Sequence, residues 1–401
     1  MLRTRFIVQL LLALVVLMLP AQAWAWSHQG HILMTRLACL RILQDPAAPE
    51  GLKTFISGHM KYDLEACRKL AEDEVAGAEP KNYLTGFEGV ATLPDRAQGM
   101  SDGKVPLAPF KMPEDKMHFL DLEVFCADPV YLVDPAPQQP QVPTLAQVAR
   151  DFTDPRYKIG GYVMFRVPQC YGNLVTAIKA KKDAETLNWA GYLMHYLEDS
   201  HQPHHSTIDF KSLSYLAAAK VPGVHAVKKT LSTGKEVSNY EVDKGNKGIN
   251  PHGDVEYQLF ENNVEPRKTF RADYWKKLQA DLALLDAGKI AVIESPVAGT
   301  WLGTVEPNDA AGKDKALSQG KGFEYDYSLL CQGHQYLPLV GHAAQAAYGT
   351  GEFNPAAFFG FKEKMAGADG AANDELSVID MIALQNARGV LAAERAIRTA
   401  W

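Results

Sequence analysis

The sequence lacks several of the signatures by which common hydrolases are recognised. No H-E-x-x-H pair occurs, which removes the usual helix-borne metalloprotease site. No glycine-rich nucleotide loop and no G-x-S-x-G elbow occurs, so neither a phosphate-cradling turn nor a serine nucleophile at a strand end is indicated. The five cysteines, Cys39, Cys67, Cys126, Cys170 and Cys331, show no C-x-x-C spacing and are not read as thiolate ligands. Internal repeats and a sustained alternating strand series are also missing, which argues against solenoid and all-β architectures. Basic charge is not in excess either. The formal net charge is −6, which disfavours a general nucleic-acid binder held by phosphate neutralisation but not an enzyme with a metal-rich cleft.

Long apolar runs are missing too, except at the start. Arg3 and Arg5 form a basic region, Phe6 to Leu19 an apolar one, and Ala23-Trp24-Ala25 an A-x-A cleavage site. Residues 1–25 therefore read as a signal peptide, and the chain is expected to be secreted or periplasmic after cleavage following Ala25. Loss of two arginines and no acid moves the formal charge from −6 to −8. Export permits disulfides, although an odd number of cysteines leaves at least one without a partner in the chain. A hydrophobic content of 47 % is ample for a core. Residues 26–401 read as a single all-α domain, a multi-helix bundle with long insertions near 206–250 and 288–325. The first insertion, rich in Lys, Gly, Ser and Val, is a lid, a substrate-contacting loop or a plain surface excursion.

Histidines and acids then stand out by their spacing. Residues 187–194 are mostly apolar and free of proline, which predicts a core helix. His195 and Asp199 follow at i and i+4, on one face. Pro203 stops the helix, so His205 lies beyond its end, where the chain can turn back. Two imidazoles and a carboxylate aimed at one point suit a borderline metal such as zinc. His252 and Glu256 repeat the i,i+4 spacing on a helix opened by Pro251 and Gly253. His31 sits near the start of a helix with apolar residues at 32, 33, 37, 40 and 43, five residues after the new N-terminus at Trp26. A free α-amine and its carbonyl can chelate a metal beside such a histidine. Asp95 and His118 can meet across the loop-like stretch 99–113. Asp121 and Glu123 are expected in solvent or behind the ligands, and His201 and His204 as exposed imidazoles, hydrogen-bond donors behind the ligands or phosphate contacts. A break near Pro168 is expected to divide two helical stretches over 144–180. A proline-rich bridge, 133–143, reads as a surface excursion, His334 and His342 as core or surface residues, and the stretch 377–398 as an amphipathic helix.

In chain order, Trp26, His31, Asp95, His118, H-x-x-x-D-x-x-x-x-x-H over 195–205, and H-x-x-x-E over 252–256 resemble the zinc-dependent phospholipase C/S1–P1 nuclease superfamily. The match spans 26 to about 262. The resemblance implies an all-α fold and three zinc ions (Zn2+). Asp95, His118, His195 and Asp199 would hold the first, and His205, His252 and Glu256 the second. Trp26 through its amine and carbonyl, His31 and a shared Asp199 would hold the third. It also implies phosphodiester hydrolysis by a zinc-activated water, with Asp95 a candidate proton acceptor. Glu256 and His195-Tyr196 resemble the phospholipase C branch, which cleaves a phospholipid at a membrane or micelle surface into diacylglycerol and a phosphorylated head group. Trp26-x-x-x-Gly30-His31, His118-Phe-Leu-Asp and Gln202-Pro203 resemble the nuclease branch, which releases 5′-nucleotides from single-stranded nucleic acid. Glu198 and Ser200 depart from both patterns, and Arg96 directly follows Asp95 where the nuclease pattern sets its arginine a few residues on. Phospholipase C is the preferred reading because Glu256 touches the site itself. A zinc-binding exported protein without catalysis is the alternative from another class.

Overall fold

A computed structural model describes residues 26–60, 86–96, 114–126, 142–152, 160–230, 236–246, 248–260, 267–293, 320–349, 351–365 and 375–401, with a few isolated positions between them. The signal segment 1–25, the loop 99–113, most of the proline-rich bridge and most of the second insertion fall outside these residues.

The described chain is mostly helical. α1 (Ser27–Gln44) and α2 (Glu50–His59) lead to two short helices, α3 (Gly86–Ala91) and α4 (Leu93–Arg96). After 3-10 turns at Glu114–Met117 and Leu122–Phe125 come α5 (Leu145–Asp151), α6 (Val163–Lys179) and α7 (Asp183–Asp199). A third 3-10 turn (Pro203–Ser206) and α8 (Leu213–Ala218) precede a hairpin of β1 (Val224–Thr230) and β2 (Glu236–Val242). Then follow α9 (Pro251–Phe260), α10 (Arg267–Asp286), α11 (Gly322–His334), α12 (Leu337–Tyr348) and α13 (Pro355–Phe359). A small pair, β3 (Lys362–Lys364) and β4 (Glu375–Ser377), delivers the chain into α14 (Val378–Ala400).

Local sequence explains the helix boundaries. Ser377 and Asp380 form a reciprocal capping box at the start of α14, as Thr144 and Gln147 do for α5, each worth about 1 kcal/mol. Asp183 and Glu185 place negative charge in the first turn of α7, where the helix dipole favours it. Arg271 closes the far end of α9, donating to the carbonyls of Leu259 and Phe260.

α14 is the hub. It packs against α1, α7 and α10, and Val378, Ile379, Met381, Ile382, Val390 and Leu391 are all buried, each contributing roughly 1.5–3 kcal/mol. It is more than the amphipathic helix expected, since Gln385, Asn386 and Arg388 are buried as well. Gln385 donates to the carbonyl of His201, and Arg388 to Tyr336 and Gln385. α7 is gripped on the other side by α6 and α3. Arg36 of α1 reaches Glu88 of α3 at 3.5 Å, both buried.

Several expectations change. Pro168 lies inside α6, and the break falls upstream, before Val163. Packing overrides the single hydrogen bond that a proline removes: Arg166 lies over the rings of Tyr192 and Tyr196, and Cys170 and Leu174 are buried. The first insertion folds as α8 and an antiparallel hairpin, with Val224 opposite Val242 and Thr230 opposite Glu236; the described chain remains mostly helical, with two small two-stranded sheets added. The second insertion ends earlier than 325, because α11 begins at Gly322. No disulfide joins the described cysteines: Cys39, Cys170 and Cys331 lie buried on separate helices and Cys126 follows a 3-10 turn, where they pack as small apolar side chains. Cys67 lies outside the described residues.

One backbone crossing fixes the position of His118. Leu120 pairs with Gly161 as an isolated bridge, Asp121 N–H donates to Gly160 and Tyr162 N–H to Lys116. Gly161 has φ +89°, and a Cβ there would lie 2.0 Å from the Phe119 carbonyl oxygen. Gly161→Ala should therefore destabilise the fold by roughly 2–4 kcal/mol. Urea denaturation would measure this, and a variant as stable as the parent would show that the crossing is not tight.

Candidate metal centre

The donors come from six elements or segments of the chain that the bundle brings together. α7 carries His195 and Asp199 one turn apart, with His195 Nε2 3.2 Å from Asp199 Oδ2. His118, held by the crossing above, places Nδ1 2.9 Å from that same oxygen and 3.1 Å from His195 Nε2. Asp95, on α4, brings Oδ1 within 3.7 Å of both His118 Nδ1 and His195 Nε2. These four donors are spaced 2.9 to 3.7 Å apart in the five separations given. Four ligands arranged tetrahedrally at about 2.0–2.2 Å from a metal are separated by about 3.3 Å, so the set has the size of one cation.

The other oxygen of Asp199 serves a different group. Oδ1 lies 3.3 Å from His31 Nε2 and 3.9 Å from His205 Nδ1. Among the described residues neither Asp199 Oδ1 nor His31 Nε2 has a hydrogen-bond partner, although both are fully buried. A third set lies beyond. Glu256 Oε1 is 2.5 Å from His252 Nε2 and 3.6 Å from His205 Nε2, with Glu256 Oε2 and His252 Nδ1 again lacking partners among the described residues. Three donor groups able to hold a metal ion result: His31, His195 and Asp199; Asp95, His118 and His195; and His205, His252 and Glu256. Every one of these side chains, like Trp26, is at most 4 % exposed.

Burial sets the electrostatics. It pushes the Asp95 and Glu256 carboxyls up to about 7, against the pull of neighbouring histidines. It drives His195 and His252 down to about 3, leaving their imidazoles neutral and able to donate a lone pair. Burial would also lower His31, but the carboxylates of Asp199 and Glu198 override it and raise that histidine well above its ordinary value. Burial works against ionised Asp199, yet the imidazoles of His195, His118 and His31 hold it well below the usual range. Carboxylates gathered in a dry pocket are costly unless a cation or proton compensates them. The donor set thus fits a divalent metal in both spacing and charge.

The remaining histidines are sorted by position. His201 and His204 are buried, not exposed: His201 Nδ1 donates to the Leu197 carbonyl at 2.7 Å, and His204 Nε2 lies 2.8 Å from Ser212 Oγ. His225, on the hairpin, faces Asp243 at 3.2 Å, and His342 faces Glu363 at 2.9 Å. Neither belongs to the cluster.

Supporting residues went largely unread in the sequence. Gln202 donates to Glu256 Oε1 at 2.7 Å and accepts from His204 N–H. Glu123, expected in solvent or behind the ligands, is buried and accepts from Ile208 N–H. Its Oε1 lies 3.5 Å from His334 Nε2, and His334 Nδ1 in turn lies 3.0 Å from Ser206 Oγ. Asp121 is buried too. Leu120 N–H donates to the His205 carbonyl at 2.9 Å, tying the segment that carries His118 to the one that carries His205. A cavity of 690 Å3 lies elsewhere, between the C-terminal ends of α1, α10 and α14, among Arg41, Arg398, Asp286 and Glu394; none of the three donor groups lines it.

No family model matches the chain, and a search of curated proteins finds no match.

Metal uptake at these donors competes with protons. Asp95 and Glu256 near 7, and His31 above its ordinary value, hold protons at mildly acidic pH that must leave when a cation binds. His195 and His252 have none to lose there. Affinity for Zn2+ should therefore fall as pH drops from about 8 to about 6, by up to roughly tenfold per pH unit for each proton displaced. Competition against a chromophoric chelator would measure it, and a flat affinity over that range would contradict the site.

Proposed function

We propose that the chain is an exported phosphodiester hydrolase built on three zinc ions, and that its reaction is that of a phospholipase C. The observation that carries this reading is the division of Asp199 between two donor groups, Oδ2 toward His118 and His195 and Oδ1 toward His31. A carboxylate shared in this way holds neighbouring cations close enough to act on one phosphate. Mixed imidazole and carboxylate donors suit zinc. Zinc bound here supplies Lewis acidity toward phosphoryl oxygens and a water acidified to near neutrality.

The chain's own residues do the positioning. Asp95, His118, His195 and Asp199 form one site, and His205, His252 and Glu256 another. His31 and Asp199 form the third with the main-chain amine and carbonyl of Trp26, once residues 1–25 are removed. Asp95 turns Oδ1 to His118 and His195 and Oδ2 to His31. Asp95 is the candidate acceptor for the proton of the attacking water. Gln202 holds Glu256, and the burial of the whole cluster excludes bulk water from the charges.

Glu256 in the last ligand position and the His195-Tyr196 pair support a phospholipid as substrate, met at a membrane or micelle surface by loops beside the site. A second reading, single-stranded nucleic acid cleaved to 5′-nucleotides, is favoured by Phe210. This ring is 41 % exposed, stands edge-on 5.8 Å from His252, and has Lys211 Nζ 5.3 Å from its centroid. An aromatic face with a cation beside it suits a stacked base and its phosphate.

Mature protein incubated with phosphatidylcholine, and separately with single-stranded DNA, should release diacylglycerol and no nucleotides. Nucleotides without diacylglycerol would replace the first reading with the second. Failure on both, and on bis(p-nitrophenyl) phosphate, would leave a metal-binding protein without catalysis. Asp199→Asn should lower both zinc content and hydrolysis, the rate by more than about 100-fold; full zinc occupancy with normal turnover would remove the shared-ligand role.

A further inference from the structure

Glu198 is a fully buried carboxylate next to Asp199 that is not itself in any of the three donor groups. The hydrogen bonds of its carboxylate run to α1. His31 Nδ1–H donates to Glu198 Oε2 at 2.6 Å, and Thr35 Oγ1–H donates to Oε1 at 3.1 Å. The Trp26 indole N–H donates to the Glu198 main-chain carbonyl at 2.8 Å. One residue of α7 thus holds Trp26, His31 and Thr35 at once.

The segment it holds is strained. Trp26 and Ser27 both have left-handed backbones, φ 40° and 53°, and no side chain caps the helix at Trp26. Non-glycine residues adopt such angles, at a cost of about 1–3 kcal/mol each, only where the surroundings over-determine them. Gly30 makes the fold-back possible, since a Cβ there would sit 3.1 Å from the Trp26 Cβ. With His31 Nδ1 committed to Glu198, the other ring nitrogen, Nε2, is left facing Asp199 Oδ1. A carboxylate behind a histidine in this way fixes the tautomer and aim of a ligand and makes it more basic.

We infer that Glu198 is the positioning residue that assembles the His31 site: it docks the turn from Trp26 to His31 onto α7 independently of the metal, and so sets how tightly the cation of that site is held. The inference rests on the metal-centre reading and adds an assembly step within the chain.

The test uses the mature chain loaded with Zn2+, with Glu198→Ala, Glu198→Gln and Thr35→Val alongside the parent. Zinc per chain is read after gel filtration through chelator, the release of the most weakly held zinc is timed with a chromophoric chelator, and amide hydrogen exchange is followed over 27–36. Glu198→Ala should retain one zinc fewer than the parent, release it about 10–100-fold faster, and exchange faster over 27–36 while α14 stays protected. Glu198→Gln keeps an acceptor for His31 Nδ1–H but not the charge, so it should release that zinc at an intermediate rate with near-parental exchange; this near-isosteric variant carries the test if the alanine variant does not fold. Thr35→Val should show a smaller change in the same direction. Parental zinc content, release and exchange in both Glu198 variants would overturn the inference. A parent that takes up no zinc, yet whose exchange over 27–36 depends on Glu198, would uphold the docking and overturn the metal-centre reading instead.

Discussion

Carboxylates withdrawn from water resist ionisation and repel one another, and imidazoles withdrawn from water resist protonation. Here Asp95, Glu198, Asp199 and Glu256 are buried together with His31, His118, His195, His205 and His252. The two tendencies meet in opposition. Asp95, Glu198 and Glu256 are held up near 7, while His195 and His252 are held down near 3. Left to itself this interior is a net liability, because too few protons can be shared to satisfy every donor and acceptor. A divalent cation would change the balance, since it would take up lone pairs from both residue types and cancel negative charge. The rest of the fold can be understood as what is required to keep the cluster dry and aimed.

That requirement is met by tying several of the donor-bearing segments to one another and to the central helix. His118 rides on a segment crossed by the glycines at 160 and 161 and tied through Leu120 to the carbonyl of His205. His205 is followed by Ser206, which faces His334, which faces Glu123. Glu256 is held by Gln202, and the adjoining His201 carbonyl takes a hydrogen bond from Gln385 of the central helix. Polar side chains in this core are therefore the connections between the donor-bearing segments and the hub. This accounts for α14 being buried on nearly all sides and yet carrying Gln385, Asn386 and Arg388.

The candidate donors were legible in the sequence because metal ligation would impose residue type and helical spacing together. His195 with Asp199, and His252 with Glu256, are i,i+4 pairs whose geometry follows from the helix alone. His118 and Asp95 were legible only as a pair without a fixed spacing, and they meet across a tertiary crossing. The supporting residues were not legible. Glu123, Gln202 and His334 lie far apart in the chain, and nothing local distinguishes a buried acid from an exposed one. Glu198 was visible only as a departure from a pattern. The hairpin had a signal that went unread: Val and Thr recur between Gly223 and Gly234, both at positive φ, within a stretch whose lysines suggested an exposed excursion. Pro168 was given too much weight, since a single missing hydrogen bond is outweighed by the packing of Arg166, Cys170 and Leu174.

The chemistry of the buried cluster and the choice of substrate are separate problems. Donor atoms in a dry interior fix what kind of bond can be attacked, and any phosphodiester presents the same oxygens to them. Discrimination must come from the rim, where the ester's two substituents lie. On the described rim Phe210 and Lys211 stand beside His252, and a flat ring with a neighbouring cation can receive either a base with its phosphate or a choline group with its phosphate. Apolar exposure elsewhere is sparse: Phe210 and Leu284 are the large hydrophobic residues exposed among those described. On the proposed reading the choice between lipid and nucleic acid therefore falls to the rim, at Phe210 and Lys211, and not to the buried donors.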